Sequence, residues 1–152
     1  MIKNLIQNPY TLALVGGSTI SLAPTIAISK ISELFPNLKP EQIGSVSEFF
    51  ANGFGPLQVI VLAFIVLIVP PLEEIVFRHW GWRLASRCMS AKQTWVFISV
   101  LFAIAHLDLL HILGLLPLSF FLGWLRLRTG DVRASTVAHC ANNAVACLFM
   151  VI

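Results

Sequence analysis

Charged side chains are scarce in this chain. Asp, Glu, Lys and Arg make up only 11% of its 152 residues, whereas hydrophobic residues make up 57% and the mean hydropathy is +0.85. Soluble domains carry about 25% charged residues, so this composition leaves too little polar surface to cover a water-soluble globule. The lipid bilayer is the alternative solvent, and the composition therefore predicts an integral membrane protein in contact with lipid.

Several other features are missing, and each absence excludes a class of protein. The three cysteines, Cys88, Cys140 and Cys147, form an odd and sparse set that predicts no disulfide framework. The ten Lys and Arg form no clustered basic stripe, which excludes nucleic acid as an expected partner. The sequence has no HExxH zinc-protease motif, no GxSxG nucleophile elbow and no Walker loop. Any catalytic site must therefore be of another kind.

What the chain does have is a series of apolar stretches long enough to form membrane helices. We expect an all-α fold, a polytopic membrane helical bundle of about five segments. The expected segments are residues 11–29, 56–71, 94–107, 110–127 and 134–152. The first is interpreted as a membrane helix and not as a cleaved signal peptide, because it is long and interrupted and lacks a clear small-residue cleavage site.

The segments fall into two regions. Residues 1–55 are expected to hold the first helix and a connecting loop with a short amphipathic helix near 41–50, and residues 56–152 to hold the core. Within the core, Pro70-Pro71 should break the second segment because proline has no backbone N–H. A new helix should start there, with Glu73 and Glu74 near its N-terminus, where the helix dipole favours acidic side chains. We expect this break to leave free backbone donors beside the two carboxylates.

Basic residues mark two of the connecting loops. They are Arg83, Arg87 and Lys92 between the second and third segments, and Arg126, Arg128 and Arg133 between the fourth and fifth. The loop between the third and fourth segments holds Asp108 and neither Lys nor Arg. Since two segments separate the basic loops, both fall on one side, and the positive-inside rule makes that side cytoplasmic.

Ionisable side chains in hydrocarbon are costly and rare, so each one is a functional candidate. Glu74 and Arg78 are four residues apart and can pair on one helix face, which lowers the cost of burying both. Glu73 points about 100° away and has no cationic partner at that spacing. The spacing therefore predicts that Glu74 has a structural role, whereas Glu73 is left free, which suits a general base.

Two further pairs occur at helical spacing. Phe102 and His106 are four residues apart, as are His139 and Asn143. A lone histidine is usually a hydrogen-bonded core residue, but two histidines at such positions together with a free glutamate favour a shared site. At about 1.5 Å of rise per residue, Glu73 and both histidines fall in the cytoplasmic half of the membrane.

In this order the motifs resemble the CAAX prenyl protease-like and bacteriocin-processing (CPBP, Abi) family of intramembrane proteases. The motifs are Glu73-Glu74-x-x-x-Arg78, Phe102-x-x-x-His106 and His139-x-x-x-Asn143. The resemblance runs from about Pro56 to the C-terminus. It implies an intramembrane endopeptidase of the bacterial inner membrane, open to the cytoplasm, that acts on a peptide or membrane-associated protein. It also connects the chain with bacteriocin self-immunity.

The resemblance also implies a role for each motif residue. Glu73 would activate the attacking water and His106 would assist it. His139 and Asn143 would stabilise the oxyanion, and zinc or another divalent metal held by His106 and His139 is the alternative. The supporting residues would be Glu74, Arg78 and Phe102. A glutamate-dependent and a metal-dependent mechanism both stay open.

Three alternatives to an active endopeptidase stay open. A non-catalytic membrane protein of the same fold, such as a bacteriocin-immunity protein, could use the polar cluster to bind a peptide. An inactive family member is a second alternative, since His79 follows Arg78 where a small residue is expected. A proton or ion pathway is a third, because intramembrane Glu and His also build relays. Five segments, however, rarely line a pore unless subunits assemble.

The topology can be tested by cysteine labelling. We expect single cysteines placed in residues 83–93 and in residues 126–133 to be protected from an impermeant reagent in intact cells, because both loops carry the basic residues of the cytoplasmic side. Both sites should react after the membrane is permeabilised. Labelling of either loop from outside would contradict the prediction.

Overall fold

The computed structural model describes residues 8–20, 22–34, 48, 49, 53 and 55–151, and its regular elements in these ranges are all helices. The helices are α1 (Pro9–Thr19), α2 (Leu22–Leu34), α3 (Pro56–Leu67), α4 (Val69–Glu74), α5 (Trp82–Ala85), α6 (Ala91–Ile104), α7 (Leu109–Thr129) and α8 (Arg133–Val151). A π-helical turn, Ile75–Gly81, joins α4 to α5. The prediction of an all-α fold is therefore confirmed.

Two helical stretches are long and apolar enough to cross a membrane. They are Pro56–Ala85, which runs from α3 to α5, and Leu109–Thr129, which is α7; the apolar helix α6 is shorter. Only 11% of the most apolar window of Pro56–Ala85 is buried within the chain, so most of its surface is available to lipid. The arrangement of five membrane segments stays a prediction.

The first expected segment is two helices instead of one. The chain leaves α1 at Ile20, whose N–H still donates to the Gly16 carbonyl at 2.9 Å, and α2 begins at Leu22. Pro24 contributes to this interruption, since it cannot donate a hydrogen bond to the carbonyl of Ile20 one turn earlier. The short helix expected near residues 41–50 lies outside the described residues, except for residues 48 and 49, which are helical.

The predicted break at the proline pair is present but slight. Helix α3 ends at Leu67, one residue before Ile68, and α4 starts with Val69 and the two prolines. The Leu72 N–H donates to the Ile68 carbonyl at 3.3 Å, so hydrogen bonding resumes directly after the prolines. The helix axis is therefore interrupted for about one residue while the long stretch Pro56–Ala85 continues.

Helix α1 packs closely against α8 through small residues. A Cβ added to Gly17 would lie 2.2 Å from the backbone oxygen of Ala138, so only glycine allows this approach. Such contacts between small residues are a common way for membrane helices to associate. The buried cluster that results draws on α1, α7 and α8, and its members are Ala13, Leu118, Leu122, Leu125, Ala134 and Ala138. The first region of the chain thus shares a core with the second.

Helices α6 and α7 are joined by a reciprocal pair of serines. Ser99 Oγ donates to the Ser119 carbonyl at 3.1 Å, and Ser119 Oγ donates to the Ser99 carbonyl at 2.7 Å. Gly123 of α7 permits this close approach to α6, because a Cβ added to it would lie 2.7 Å from Ser99 Oγ. Both serines are fully buried, so the pair fixes the relative rotation of two helices that carry site residues.

The substitution Gly17→Ala tests the contact between α1 and α8. Its methyl group would meet the Ala138 backbone, which cannot move aside, so we expect a loss of about 1–3 kcal/mol of stability from overpacking. Thermal unfolding of the detergent-solubilised protein measures this loss.

Gly16→Ala is the matched control for that substitution. It adds the same methyl group next to the side chain of Phe121, which can turn away. Alanine also favours helix by about 1 kcal/mol over glycine at both positions. Equal unfolding temperatures for the two variants would contradict the close contact at Gly17.

Candidate functional site

A fully buried ion pair forms the base of the site. Arg78 Nη1 lies 3.2 Å from Glu74 Oε1, and both side chains are 0% exposed. The pair predicted from the spacing of four residues is therefore present, although the π-helical turn begins between its members. Because a charge in an apolar interior is costly alone, each partner depends on the other.

Arg78 has further partners on two other helices. Its Nη2 donates to the carbonyl of Ser119 at 3.2 Å and to the hydroxyl of Ser119 at 2.9 Å. The face of the Phe102 ring covers the guanidinium, with Cζ 4.1 Å from the ring centroid. Arg78 Nε is buried without a hydrogen-bond partner among the described residues, and the aromatic face is its compensating contact. Helices α6 and α7 therefore meet at this one side chain.

His139 of α8 lies between the two glutamates. Its Nδ1 is 3.2 Å from Glu74 Oε1, and its Nε2 is 3.5 Å from Glu73 Oε2. The expectation that Glu73 is free of partners is therefore wrong, because the partner comes from a helix distant in sequence. The side chain of Glu73 is 28% exposed, whereas those of Glu74 and His139 are 0% and 4% exposed. One carboxylate is thus accessible and the other is enclosed.

The four side chains form a linear network from Arg78 through Glu74 and His139 to Glu73. When both nitrogens of His139 carry protons, the ring donates to a carboxylate on each side and the four charges sum to zero. When Nε2 has no proton, that nitrogen and the Glu73 oxygen face each other as two acceptors. A proton on Nε2 therefore decides whether His139 can donate a hydrogen bond to Glu73.

Phe102 connects this network to His106. The Phe102 ring centroid lies 5.6 Å from that of His139 and 5.1 Å from that of His106. His106 was expected on a helix but lies in the turn after α6, because Leu107 with φ 59° redirects the chain. Its Nδ1 is 3.0 Å from the Phe102 carbonyl, and its ring packs on His111 at 5.1 Å.

A hydrogen bond from Asn143 connects α8 to α3. Its Nδ2 donates to the carbonyl of Ile65 at 3.1 Å, and its Oδ1 lies 3.4 Å from Asn142 Nδ2. The bond reaches α3 at Ile65, three residues before the turn at Ile68. In the structure Asn143 thus positions α8, and with it His139, against the interrupted helix.

The residues present offer few metal ligands. Within the described ranges, no group of three or more His, Cys, Asp or Glu side chains is arranged to hold an ion. Catalytic zinc sites use three protein ligands. Both ring nitrogens of His139 face carboxylates, so a metal would have to replace one of those contacts. The described donor set therefore does not fit a zinc site.

The free backbone donors expected beside the carboxylates are not found at Leu72 and Ile75. The N–H of Leu72 donates to Ile68, and the N–H of Ile75 is directed at the carbonyls of Leu72 and Pro71. Proline removes donors and leaves acceptors, so the break supplies carbonyls instead. The distinctive backbone feature is the π-helical turn Ile75–Gly81, a rare element that occurs frequently at functional sites.

Three residues of this region were not predicted from the sequence: Ser99, Ser119 and Arg126. Arg126 Nε donates to the Arg78 carbonyl at 3.1 Å, although Arg126 was interpreted only as a topology signal. A signal for the serines exists, since small polar residues in apolar membrane segments often lie at helix contacts. The presence of a serine in such a segment does not indicate which helix it contacts.

Comparisons with known proteins identify one family. The profile of the family described as Rce1-like, type II CAAX prenyl endopeptidase, matches residues 55–145, which include every motif residue discussed above. Neither the comparison with curated proteins nor that with solved structures gives a significant match.

The buried pair can be tested by removing either partner. Arg78→Met or Glu74→Gln should each destabilise the fold by about 3–5 kcal/mol, because each leaves a buried charge without its counterion. Folded yield after size-exclusion chromatography and the unfolding temperature measure this effect. Lys30→Met is the control, since Lys30 and Glu33 form an ion pair at the surface. Normal yields for both buried variants would contradict the structural role of the pair.

Proposed function

Because the chain belongs to the Rce1-like family of type II CAAX prenyl endopeptidases, we propose that it is an intramembrane endopeptidase. Its substrate would be a membrane-attached peptide or protein of the CAAX prenyl type, and its reaction the hydrolysis of one peptide bond. The observation that supports this most is the pair of adjacent carboxylates in different environments, with one imidazole between them. Two carboxylates in different environments can take different roles, one as the reactive group and the other as the group that holds the site together.

Glu73 is proposed as the general base. It is the one member of the network with substantial exposure, at 28% of its side chain, so a water molecule and a substrate can reach it. In the reaction its carboxylate takes a proton from water while the water oxygen attacks the substrate carbonyl carbon. The proton then passes to the leaving nitrogen as the C–N bond breaks, and the carboxylate is regenerated.

His139 is proposed to stabilise the oxyanion that forms on the attacked carbonyl. Its Nε2 points toward the Glu73 carboxylate, where the reacting atoms would sit, and Glu74 holds its Nδ1 at 3.2 Å. A histidine fixed through one nitrogen presents the other in a defined direction, which is the preorganisation that oxyanion stabilisation needs. Glu74 and Arg78 act through His139 and are positioning residues.

His106 and Asn143 are proposed as further members of the site. His106 packs on the same Phe102 ring as His139, which supports a role in assisting the base. Asn143 is one turn from His139 on α8 and would support oxyanion stabilisation, mainly by holding that helix through Ile65. The site is proposed to lie in a cell membrane, on the side of the basic loops 83–93 and 126–133, which would be cytoplasmic.

The substitution Glu73→Gln tests the proposal. It keeps the size of the side chain and removes the basic carboxylate, so we expect turnover to fall by about 100-fold or more while folded yield stays near that of the unchanged protein. The assay is the release of a C-terminal fragment from a prenylated CAAX-type peptide in proteoliposomes, followed by mass spectrometry.

Glu33→Gln is the matched control, because Glu33 is an exposed glutamate on α2 with a surface partner. It should cleave at the normal rate. Cleavage by Glu73→Gln at the control rate would exclude Glu73 as the base. A protein that binds the peptide and cleaves it in no variant would instead be a non-catalytic binder.

A further inference from the structure

An open groove, called here the α6 groove, runs along the outer face of α6. Its volume is about 610 Å³, which lies within the range of about 300–1,000 Å³ typical of ligand pockets. It is lined by one residue of the preceding turn, Met89, and by five residues of α6, which are Lys92, Gln93, Val96, Phe97 and Val100. The polar members come first along α6 and the apolar ones follow. The α6 groove therefore has one polar end and an apolar remainder.

The α6 groove is separate from the candidate active site. Phe97 and Phe102 are five residues apart, so on a helix they point about 140° away from each other. Phe102 is fully buried and contacts Arg78 and His139, whereas Phe97 is 44% exposed. A ligand in the α6 groove would therefore lie on the side of the helix that faces the membrane and not beside the reacting groups.

The polar end of the α6 groove carries positive charge without an acidic counterpart. Lys92 is exposed there, and Arg87 is exposed in the turn just before α6. Residues 75–107 include no Asp or Glu, and neither basic residue forms an ion pair within the part of the chain that the structure describes. Lys92 also lies in the first turn of α6, where the helix dipole favours acidic residues. The charge at this end is therefore complementary to an anion.

The length of the α6 groove suits a lipid chain. Lys92 and Val100 are eight residues apart, which is about 12 Å along a helix. One leaflet of the hydrocarbon core is about 15 Å thick, half of a core of about 30 Å. A head group at Lys92 would thus place its acyl chain beside Val96, Phe97 and Val100 within one leaflet. Basic residues at the boundary of a membrane helix are a recurrent site for anionic phospholipids.

A second copy of the chain fits the α6 groove less well. All copies of a membrane protein have the same orientation, so a symmetric pair would bring the two polar ends together at the same depth. The cations at Lys92 and Arg87 would then face their own equivalents, with no acidic side chain from residues 75–107 to separate them. Like charges repel most strongly where water is scarce, so the charge favours an anionic occupant.

We propose that the α6 groove binds one anionic phospholipid, with the phosphate at Lys92 and one acyl chain along the apolar part of the groove. This site gives the protein a specific lipid ligand and does not depend on the proposed endopeptidase function. Because the opposite face of α6 packs on Arg78 through Phe102, the bound lipid would contact the outer face of a helix whose inner face supports the candidate active site.

Photocrosslinking tests which lipid occupies the α6 groove. The photoreactive amino acid p-benzoylphenylalanine replaces Phe97 in one full-length protein and Phe64 in a control, each in nanodiscs with equal amounts of phosphatidylglycerol and phosphatidylcholine. Phe64 is 52% exposed on α3, and none of residues 56–77 is Lys or Arg. Mass spectrometry of the adducts gives the ratio of the two lipids. We expect phosphatidylglycerol to exceed phosphatidylcholine about fivefold or more at position 97, as one basic residue at the membrane surface provides, and to equal it at position 64.

The substitution Lys92→Gln should lower the ratio at position 97 to the ratio at position 64, because it removes the charge and keeps a polar side chain. Lys30→Gln is the matched control, since Lys30 is an exposed lysine on α2 that pairs with Glu33, and it should leave the ratio at position 97 unchanged. Lys92 and Lys30 are both exposed, and the ratio is measured only on folded protein recovered by size-exclusion chromatography.

Three results would overturn the lipid site. Equal ratios at positions 97 and 64 would show that anionic lipid gathers along the whole surface or not at all. An excess of phosphatidylglycerol at position 97 that survives Lys92→Gln would show that the phosphate does not bind at Lys92. Adducts at position 97 that join two copies of the chain in place of lipid would make the α6 groove an interface between copies.

Discussion

The guanidinium of Arg78 is buried in an apolar helical bundle, where a cation is stable only while its charge and donors are matched. Glu74 matches the charge, Ser119 accepts from Nη2, and the ring of Phe102 covers the plane. These partners lie on α4, α7 and α6, so one buried charge requires a single relative arrangement of three helices. Glu74 extends the requirement to α8, because it also holds His139. The location of the site therefore follows from the need to satisfy one cation.

Two neighbouring carboxylates differ in environment because the helix turns between them. Glu74 faces inward to Arg78 and is fully buried, while Glu73 faces a partly open surface beside His139. Chemically identical groups acquire different environments in this way, which is the basis for the separate roles proposed for them, Glu74 as support and Glu73 as reactant. The π-helical turn that follows widens the helix where Arg78 must reach Glu74, Ser119 and Phe102 at once. A rare backbone form thus contains the residue whose side chain contacts α4, α6 and α7.

The sequence predicted contacts within a helix and missed most contacts between helices. The Glu74–Arg78 pair follows from a spacing of four residues, which is a local rule. The contact of His139 with Glu73 depends on how α8 rotates against α4, and periodicity carries no information about that rotation. His106 was placed on a helix because no glycine marks the turn at Leu107, a non-glycine residue with positive φ, although Asp108 marks the start of the next helix. The apolar composition and the three motifs sufficed for the fold class and the family, but not for the partners of each side chain.

The two contacts of His139 differ in a way that suits the catalytic roles proposed for Glu73 and His139. The distance to Glu74 is 3.2 Å, within reach of a hydrogen bond, whereas the distance to Glu73 is 3.5 Å and longer than an ordinary one. A general base must exchange its partner for water during each turnover, so a tight ion pair with Glu73 would hinder it. The imidazole, in contrast, must not move, since the direction of its second nitrogen decides whether it can meet a developing charge. The shorter contact with buried Glu74 and the longer contact with exposed Glu73 meet both requirements. The ion pair with Arg78 keeps Glu74 in place and so maintains this difference.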